Sequence, residues 1–309
     1  MDKNLIQRLI TGTIFVVVLV SAIWFSYYAM AGLFLLIVIL GLREFYGMAE
    51  KTNAHPPKTF GIIFGTLILF LTIVSKLFDP NIGFFILPII FLPFFVELYR
   101  KKENPFANIG WTLLGWIYIV VPFGLLLINF MPKQFFDFGK HPYWDLHSYF
   151  HETYDPRPIL LIFVLIWISD SMAYVCGRIF GKHKLFERIS PKKTWEGFIG
   201  GLIFTVAAAG AISKWILFRE MDTNKAMHWI CQMEMIKWIC VAAVISITGM
   251  LGDLVESLFK RSIGVKDSGT ILPGHGGILD RFDALLLATP FALFTIWICD
   301  YLAYWHSFH

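Results

Sequence analysis

The most polar stretch of the sequence, residues 252–283, carries the side chains whose types and spacing could do chemistry. Asp253, Glu256 and Lys260 follow one another at intervals of three and four residues, which places them on one face if they lie on a helix. Two carboxylates on one face at the end of an apolar segment are costly unless a cation binds there. Mg²⁺ prefers carboxylate oxygens and shares its ligand shell with phosphates. The spacing therefore favours a metal site, with a salt bridge between Glu256 and Lys260 as the alternative.

Asp280 and Asp283 form a second acidic pair, three residues apart, at the start of the last apolar segment. Carboxylates in the first turn of a helix suit the helix dipole, so helix capping is the simpler interpretation. Capping accounts easily for one acid and less well for two. Because two acidic pairs bracket a single polar loop, we expect a shared metal site. Its candidate ligands are Asp253, Glu256, Asp280 and Asp283.

The loop between the acidic pairs is rich in glycine and is flanked by Lys and Arg. Glycine lets backbone N–H groups approach an anion closely, and a helix N-terminus follows the loop. The loop lacks the GK[ST] ending of a Walker A sequence, and a plain flexible loop is the alternative. The composition predicts phosphate binding. The candidate residues are Lys260, Arg261, Lys266, His275, Gly276 and Gly277.

A second basic stretch contains Ser190 and Pro191, which resemble a helix N-cap followed by proline at the first helical position. Lys192 and Lys193 would then lie in the first helical turn, where the dipole disfavours cations. This conflict predicts a bound anion, and anchoring to anionic lipid headgroups is the alternative. Upstream, Asp170 interrupts an apolar segment, and an ionisable residue there is a functional candidate.

Long apolar segments must position these side chains. Hydrophobic residues make up 57% of the 309-residue chain and charged residues 16%, and apolar runs of about 17–23 residues can cross a bilayer core of about 30 Å as helices. The four cysteines are scattered without a CxxC pair, so neither a disulfide framework nor a zinc site is expected. We predict an all-α, polytopic membrane bundle with about nine transmembrane helices. The predicted spans are 9–27, 29–43, 60–76, 82–97, 109–131, 158–175, 195–217, 238–251 and 282–304.

Lys and Arg are concentrated in the loops that are cytoplasmic if the N-terminus is cytoplasmic. The positive-inside rule then predicts a cytoplasmic N-terminus and an outer C-terminus. We expect two regions, spans 1–5 with an outer loop in residues 1–150 and a catalytic region in residues 151–309, whose loops 176–194 and 252–281 face the cytoplasm. The net charge of +4 gives no indication of a nucleic-acid partner. The residues alone thus predict a metal and polyphosphate site at the cytoplasmic bilayer surface, with a lipid as co-substrate.

Several runs in the C-terminal half resemble the phosphatidate cytidylyltransferase family, also called CDP-diglyceride synthetases or CDP-diacylglycerol synthases. The resemblance covers about residues 165–290, and the N-terminal half resembles the family only as a bundle of apolar spans. The runs that carry it are SLFKR at 257–261, KDSG at 266–269, PGHGGILDRFD at 273–283, SPKKTWEG at 190–197 and the segment 170–178.

The resemblance implies that CTP and phosphatidic acid give CDP-diacylglycerol and pyrophosphate at the inner membrane, with the active site facing the cytoplasm. It implies Mg²⁺, with K⁺ as a candidate second cation, bound by Asp253 and Asp280, with Glu256 and Asp283 as second choices. It also implies a homodimer. The candidate catalytic residues are Asp253, Asp280, Asp283, Lys260 and Lys266, and the candidate substrate-binding residues are Asp170, Ser190, Lys192, Lys193, Arg261, His275, Gly276 and Gly277.

Two other functions would use similar residues. A CTP-dependent enzyme acting on another lipid, such as a polyprenol kinase or an ether-lipid cytidylyltransferase, would share the site and differ in the lipid groove. An ion-coupled transporter would also place acids within spans, but transporters often show broken helices in matched halves. Here the polar residues cluster on one side and in the last half of the chain, which argues against a transporter.

Overall fold

The computed structural model describes residues 3–131, 154–218, 225–271, 274 and 276–308. In a bilayer an apolar segment must satisfy its backbone N–H and C=O groups internally, which favours helices, and ten α-helices account for most of the described chain. Their bounds are α1 Lys3–Phe25, α2 Tyr27–Ala49, α3 Lys58–Leu77, α4 Ile86–Tyr99, α5 Pro105–Gly115, α6 Val121–Asn129, α7 Arg157–Phe180, α8 Trp195–Phe218, α9 Lys225–Ser262 and α10 Asp283–Phe308.

Shorter elements join some of these helices. A 3₁₀ helix, Pro80–Phe85, leads into α4, and a π-helical turn, Trp116–Val120, joins α5 to α6 directly before Pro122. A second 3₁₀ turn, Leu279–Arg281, precedes α10. Within the described residues, eight helical segments are long and apolar enough to cross a membrane, and Leu9–Phe25 is a shorter apolar helix. Each predicted span falls on one of these nine segments, which confirms the prediction of an all-α, polytopic membrane bundle.

The chain divides into two compact units. Unit 1 contains residues 1–160 and 260–282, and unit 2 contains residues 161–259 and 283–309. Segment 260–282 therefore belongs to unit 1, although most of unit 2 precedes it in the sequence.

Helix α2 lies at the centre of unit 1, where most of its residues from Tyr27 onward are buried. Its Tyr46 hydroxyl donates to the carbonyl of Thr112 at 3.0 Å. A Cβ at Gly61 or Gly115 would lie 2.6 or 2.7 Å from the Tyr46 side chain, so the two glycines let α3 and α5 close around this ring. Burying such a large aromatic side chain is a major stabilising contribution, and it fixes α2 within the unit.

The basic stretch in unit 2 forms a hairpin and not a helix start. Strands β1, Lys184–Phe186, and β2, Ser190–Thr194, pair antiparallel. The prediction that Ser190 caps a helix with Lys192 and Lys193 in its first turn is therefore wrong. The hydroxyl of Thr194 accepts a hydrogen bond from the N–H of Gly197 at 3.2 Å and caps α8 instead. Two hydroxyl residues four apart offer the same capping chemistry, and strand pairing up to Thr194 selects the later one.

Helix α9 continues well beyond its predicted end at residue 251 and reaches Ser262. Asp253, Glu256 and Lys260 consequently lie on one continuous helix, as their spacing required. At the second acidic pair, Asp280 belongs to the 3₁₀ turn, while Asp283 is the first residue of α10.

Candidate functional site

Three charged side chains from three elements meet in unit 2, and we call them the open cluster: Asp170 of α7, Lys193 of β2 and Asp253 of α9. The Nζ of Lys193 lies 2.6 Å from Oδ2 of Asp253. Oδ1 of Asp253 accepts a hydrogen bond from the hydroxyl of Ser257 at 3.1 Å. Asp170 is close enough to interact electrostatically with both Asp253 and Lys193. The hairpin that carries Lys193 therefore brings its charge to two acids from membrane-spanning helices.

Close packing of α7 against α8 positions Asp170. A Cβ at Gly201 would lie 2.9 Å from the carbonyl oxygen of Ser169, and one at Gly197 would lie 2.7 Å from the carbonyl oxygen of Ala173. Only glycine at these two positions lets the α7 backbone approach α8 so closely. Asp170 is an exposed residue of α7, and a charged group on a spanning helix is costly against lipid. We infer that this face of α7 borders water or a polar ligand.

The open cluster fits a magnesium ion delivered with a phosphate ligand. Mg²⁺ is usually bound through one or two carboxylates, with substrate phosphates and water completing its shell, and Asp170 and Asp253 supply two. Within the described ranges, no group of three His, Cys, Asp or Glu side chains could hold a metal ion. A metal ion held by Asp170 and Asp253 would therefore take its other ligands from substrate and water.

The two other predicted metal ligands of unit 2 have different surroundings. Glu256 is only 2% exposed, whereas the side chain of Asp253 is 34% exposed. Oδ1 of Asp283 accepts the N–H of Ala284 at 2.7 Å. A Cβ at Gly252 would lie 2.6 Å from the carbonyl oxygen of Asp283, so this glycine allows α9 and the start of α10 to approach closely. Asp253 and Asp283 are both half-buried, so Glu256 is the least accessible of these three acids.

A second group of polar residues lies in unit 1, around the glycine-rich segment 264–280, which we call the signature loop. Asp280 is its centre. Oδ1 of Asp280 accepts from the Nζ of Lys260 at 2.6 Å, while Oδ2 accepts from the N–H and hydroxyl of Ser268 at 2.9 and 3.0 Å and from the N–H of Gly277 at 2.8 Å. Burial would raise the pKa of Asp280, but these hydrogen bonds outweigh it and hold the pKa below its ordinary value.

Glu44 of α2 is the residue that sequence reasoning missed. Its Oε1 accepts the N–H of Ile278 at 2.9 Å, and its Oε2 accepts the N–H of Leu279 and the hydroxyl of Ser268, each at 3.0 Å. The predicted second span ended at residue 43, which left Glu44 in a loop. Helix α2 instead continues to Ala49 and buries Glu44, which is 7% exposed. A charged residue directly after an apolar run was the available signal.

Glycines of the signature loop give the two carboxylates room. A Cβ at Gly269 would lie 2.4 Å from Oε1 of Glu44, and one at Gly277 would lie 2.0 Å from the Ser268 hydroxyl. Gly276 has a φ of +82°, a conformation that glycine adopts without strain. Backbone N–H groups of the glycine-rich loop were expected to approach a phosphate, and here those of residues 277, 278 and 279 donate to carboxylates of the protein.

The remaining predicted substrate-binding side chains lie at accessible positions. Lys192 is exposed and Ser190 is half-buried on β2, while Arg261 is exposed in the last turn of α9 and Lys266 is exposed near the start of the signature loop. Their roles stay predictions. His275 lies outside the described residues.

Comparison with known proteins gives consistent matches. A family model described as the cytidylyltransferase family matches residues 6–303. A phosphatidate cytidylyltransferase of Staphylococcus epidermidis is 37% identical over 193 residues, which cover 57% of this chain and 69% of the relative. A phosphatidate cytidylyltransferase of Haemophilus influenzae is 33% identical over 244 residues, which cover 70% of this chain and 81% of the relative.

Proposed function

This chain belongs to the cytidylyltransferase family, and from that premise we propose that it transfers the cytidylyl group of CTP to phosphatidic acid, giving CDP-diacylglycerol and pyrophosphate. Membership confirms the predicted family and the prediction of a nucleotidyltransferase, and it sets the ion-coupled transporter aside. The lipid substrate is taken from the names of the relatives. The observation that carries the proposal is the open cluster, in which two carboxylates and a lysine meet within an apolar unit.

The reaction requires no covalent intermediate on the protein. An oxygen of the lipid phosphate forms a bond to the α-phosphorus of CTP, and the bond from that phosphorus to the bridging oxygen of the β-phosphate breaks, so that pyrophosphate leaves. Both reactants are anions. The protein must therefore bring them together and neutralise their charge, and these two effects dominate the catalysis of phosphoryl and nucleotidyl transfer.

The residues of the open cluster divide this work. Asp170 and Asp253 would hold Mg²⁺, which when bound neutralises phosphate charge and stabilises the leaving pyrophosphate. Lys193 balances the charge of Asp253 in the cluster and lies near enough to donate to a phosphate bound there. Lys192, one residue earlier and exposed, is a candidate contact to an outer phosphate.

The signature loop has a different part in the proposal. Lys266 of the loop and Arg261 in the last turn of α9 are both exposed and are candidate contacts to substrate phosphates. Asp280 and Lys260 neutralise each other and hold the loop in shape through the hydrogen bonds to Ser268 and Gly277. Asp280 retains lone-pair capacity on Oδ1, so a metal contact there remains part of the proposal.

The setting of the reaction completes the proposal. We place the protein in the inner membrane with a cytoplasmic N-terminus, because the loops rich in Lys and Arg then face the cytoplasm, where CTP is available. A homodimer and a second cation, K⁺, follow from the family resemblance.

The test is a reaction of purified protein in mixed micelles with CTP, Mg²⁺ and phosphatidic acid. We expect CDP-diacylglycerol and pyrophosphate in equal amounts, with neither product formed when Mg²⁺ is chelated. Parallel reactions replace phosphatidic acid with a polyprenol or with an ether-lipid phosphate. No pyrophosphate from phosphatidic acid, while the protein keeps its helical circular dichroism, would refute the proposal, and product from one of the other lipids would identify the alternative substrate.

A further inference from the structure

We propose that Glu44 is a positioning residue for the proposed reaction: it fixes the signature loop and, through Ser268, the orientation of the Asp280 carboxylate. This inference rests on the proposed function for its kinetic consequences. The structural part of the inference, that Glu44 holds the loop to α2, does not depend on which substrate the protein uses.

Glu44 uses both carboxylate oxygens on the loop. The N–H groups of Ile278 and Leu279 donate to it at 2.9 and 3.0 Å, and the hydroxyl of Ser268, which lies equally near Asp280, is 3.0 Å away. Hydrogen bonds to an ionised carboxylate are roughly twice as strong as those between neutral groups. Burying a charge is costly unless such bonds replace its hydration. These bonds therefore hold Glu44 and the loop together.

Three consecutive N–H groups form the contact surface. That of Gly277 donates to Asp280, and those of Ile278 and Leu279 donate to Glu44. Successive N–H groups of this kind make a concave site for an anion. Here Glu44 of α2, more than 230 residues earlier in the chain, accepts two of these three N–H groups. The shape of the loop therefore depends on α2 as well as on the loop's own sequence.

Ser268 connects the two carboxylates. Its hydroxyl oxygen lies 3.0 Å from Oε2 of Glu44 and 3.0 Å from Oδ2 of Asp280. A hydroxyl carries one proton and can donate to only one acceptor at a time. Removing the acceptor at Glu44 therefore changes the bond that Ser268 offers to Asp280, and the change reaches Asp280 without any direct contact to Glu44.

The glycines leave little freedom for the loop to settle elsewhere around Glu44. A Cβ at Gly269 would lie 2.4 Å from Oε1 of Glu44, and one at Gly277 would lie 2.4 Å from Oε2. Real Cβ atoms essentially never come so close to an oxygen. Both backbone segments of the loop thus pack directly on the carboxylate.

The test compares Glu44→Gln with Glu97→Gln. Glutamine keeps the size of Glu44 but turns one acceptor oxygen into an N–H₂ group that faces N–H donors. Glu97 is a matched control, because it is also a buried glutamate of a unit 1 helix, 6% exposed, and it bonds to Asn108 and Arg100, which lie outside the loop. We expect Glu44→Gln to lower kcat by about 10–100-fold, with KM for phosphatidic acid changed less than about 3-fold, and Glu97→Gln to change kcat by less than about 3-fold.

Hydrogen exchange supplies a readout that does not depend on turnover. We expect faster exchange in a peptide covering residues 276–282 of Glu44→Gln, and wild-type exchange there in Glu97→Gln. We also expect Glu44→Gln with Ser268→Ala to lose much less than the product of the two single losses, since both act on one network. Wild-type exchange and kcat in Glu44→Gln, equal kcat losses in both glutamine variants, or multiplying losses in the double variant would each overturn the inference.

The outcomes separate this inference from the proposed function. If the wild-type protein does not act on phosphatidic acid, the proposed function fails, while the exchange experiment still reports whether Glu44 anchors the loop. If the wild-type protein is active and Glu44→Gln matches it, the proposed function stands and the inference fails.

Discussion

Two lysine–aspartate pairs, one in each unit, have the same N–O distance of 2.6 Å and very different surroundings. Lys193 and Asp253 are 25% and 34% exposed, whereas Lys260 and Asp280 are 10% and 9% exposed. Asp253 adds a single serine hydroxyl to its lysine, while Asp280 adds three donors from the loop. The carboxylate of Asp253 therefore has lone pairs available for a ligand, whereas most of those of Asp280 accept hydrogen bonds from the signature loop.

The comparison indicates that charge and spacing do not by themselves distinguish a ligand site from a structural one. In the sequence, Asp253 and Asp280 look alike, since each belongs to an acidic pair that borders the same polar loop. What separates them is how many donors the surrounding backbone supplies, and this depends on contacts that the local sequence does not reveal. The predictions below test the distinction, from the largest expected effect to the smallest.

Asp253→Asn should have the largest effect, because it removes a charged ligand from the open cluster. We expect kcat/KM to fall by about 100–1,000-fold with normal membrane insertion. Asp300→Asn is the control, since Asp300 also pairs with a lysine in unit 2, Lys237 at 2.8 Å, and should change kcat/KM by less than about 3-fold. Near-wild-type kinetics of Asp253→Asn would remove the open cluster from the mechanism.

Gly277→Ala should have the second-largest effect, because it should disturb the hydrogen bonds around the pair of Lys260 and Asp280. Its Cβ would lie 2.0 Å from the Ser268 hydroxyl, so the loop must shift, and a shift of about 1 Å near a reacting centre can cost about 100-fold in rate. Gly47→Ala in α2 is the control, because a Cβ there meets nothing within 4 Å and alanine favours a helix. Wild-type activity of Gly277→Ala would show that activity does not depend on the close packing of the loop.

Lys192→Arg should have a moderate effect, a several-fold rise in KM for CTP. Arginine keeps the charge but replaces a compact ammonium with a planar group of different hydrogen-bond geometry. Lys102→Arg, an exposed lysine far from either cluster in the sequence, should leave KM unchanged. Identical KM values for the two variants would mean that Lys192 acts only through its charge.

Acidification should have the smallest effect. The pKa of Asp280 lies below its ordinary value of 3.8, so the ionised form stabilises the folded state above that value. This stabilisation is lost as the pH falls through the lower folded-state pKa. We expect the Tm of the wild-type protein to fall by a few degrees more than that of Asp280→Asn as the pH falls from about 4 to about 2. Parallel Tm curves for the two proteins would contradict this prediction.

The sequence predicts the fold well because apolar runs translate directly into helices. All nine predicted spans fall on apolar helical segments, and the continuation of α9 through Asp253 and Lys260 agrees with their spacing. Capping was predicted less well, because Ser190 and Thr194 offer the same hydroxyl. Strand pairing of Lys184 with Thr194, which local pattern does not display, decides between them.

The organisation of the signature loop could not be predicted from its own residues. Glycines near Lys and Arg suggested a phosphate site, and the backbone N–H groups do bind anionic oxygens. The anions are Glu44 and Asp280, and Glu44 lies 224 residues from Ser268. Only the packing of α2 within unit 1 brings this partner to the loop.

Thr194 is both the last residue of β2 and the N-cap of α8, so no linker separates the strand from the helix. Because Thr194 both pairs with Lys184 and caps α8, adding or removing one residue beside it would displace Lys193 from Asp253. Natural length variation should therefore be confined to the turn at residues 187–189 and absent between residues 192 and 195. An active homologue with a one-residue insertion between residues 192 and 195 would contradict this rule.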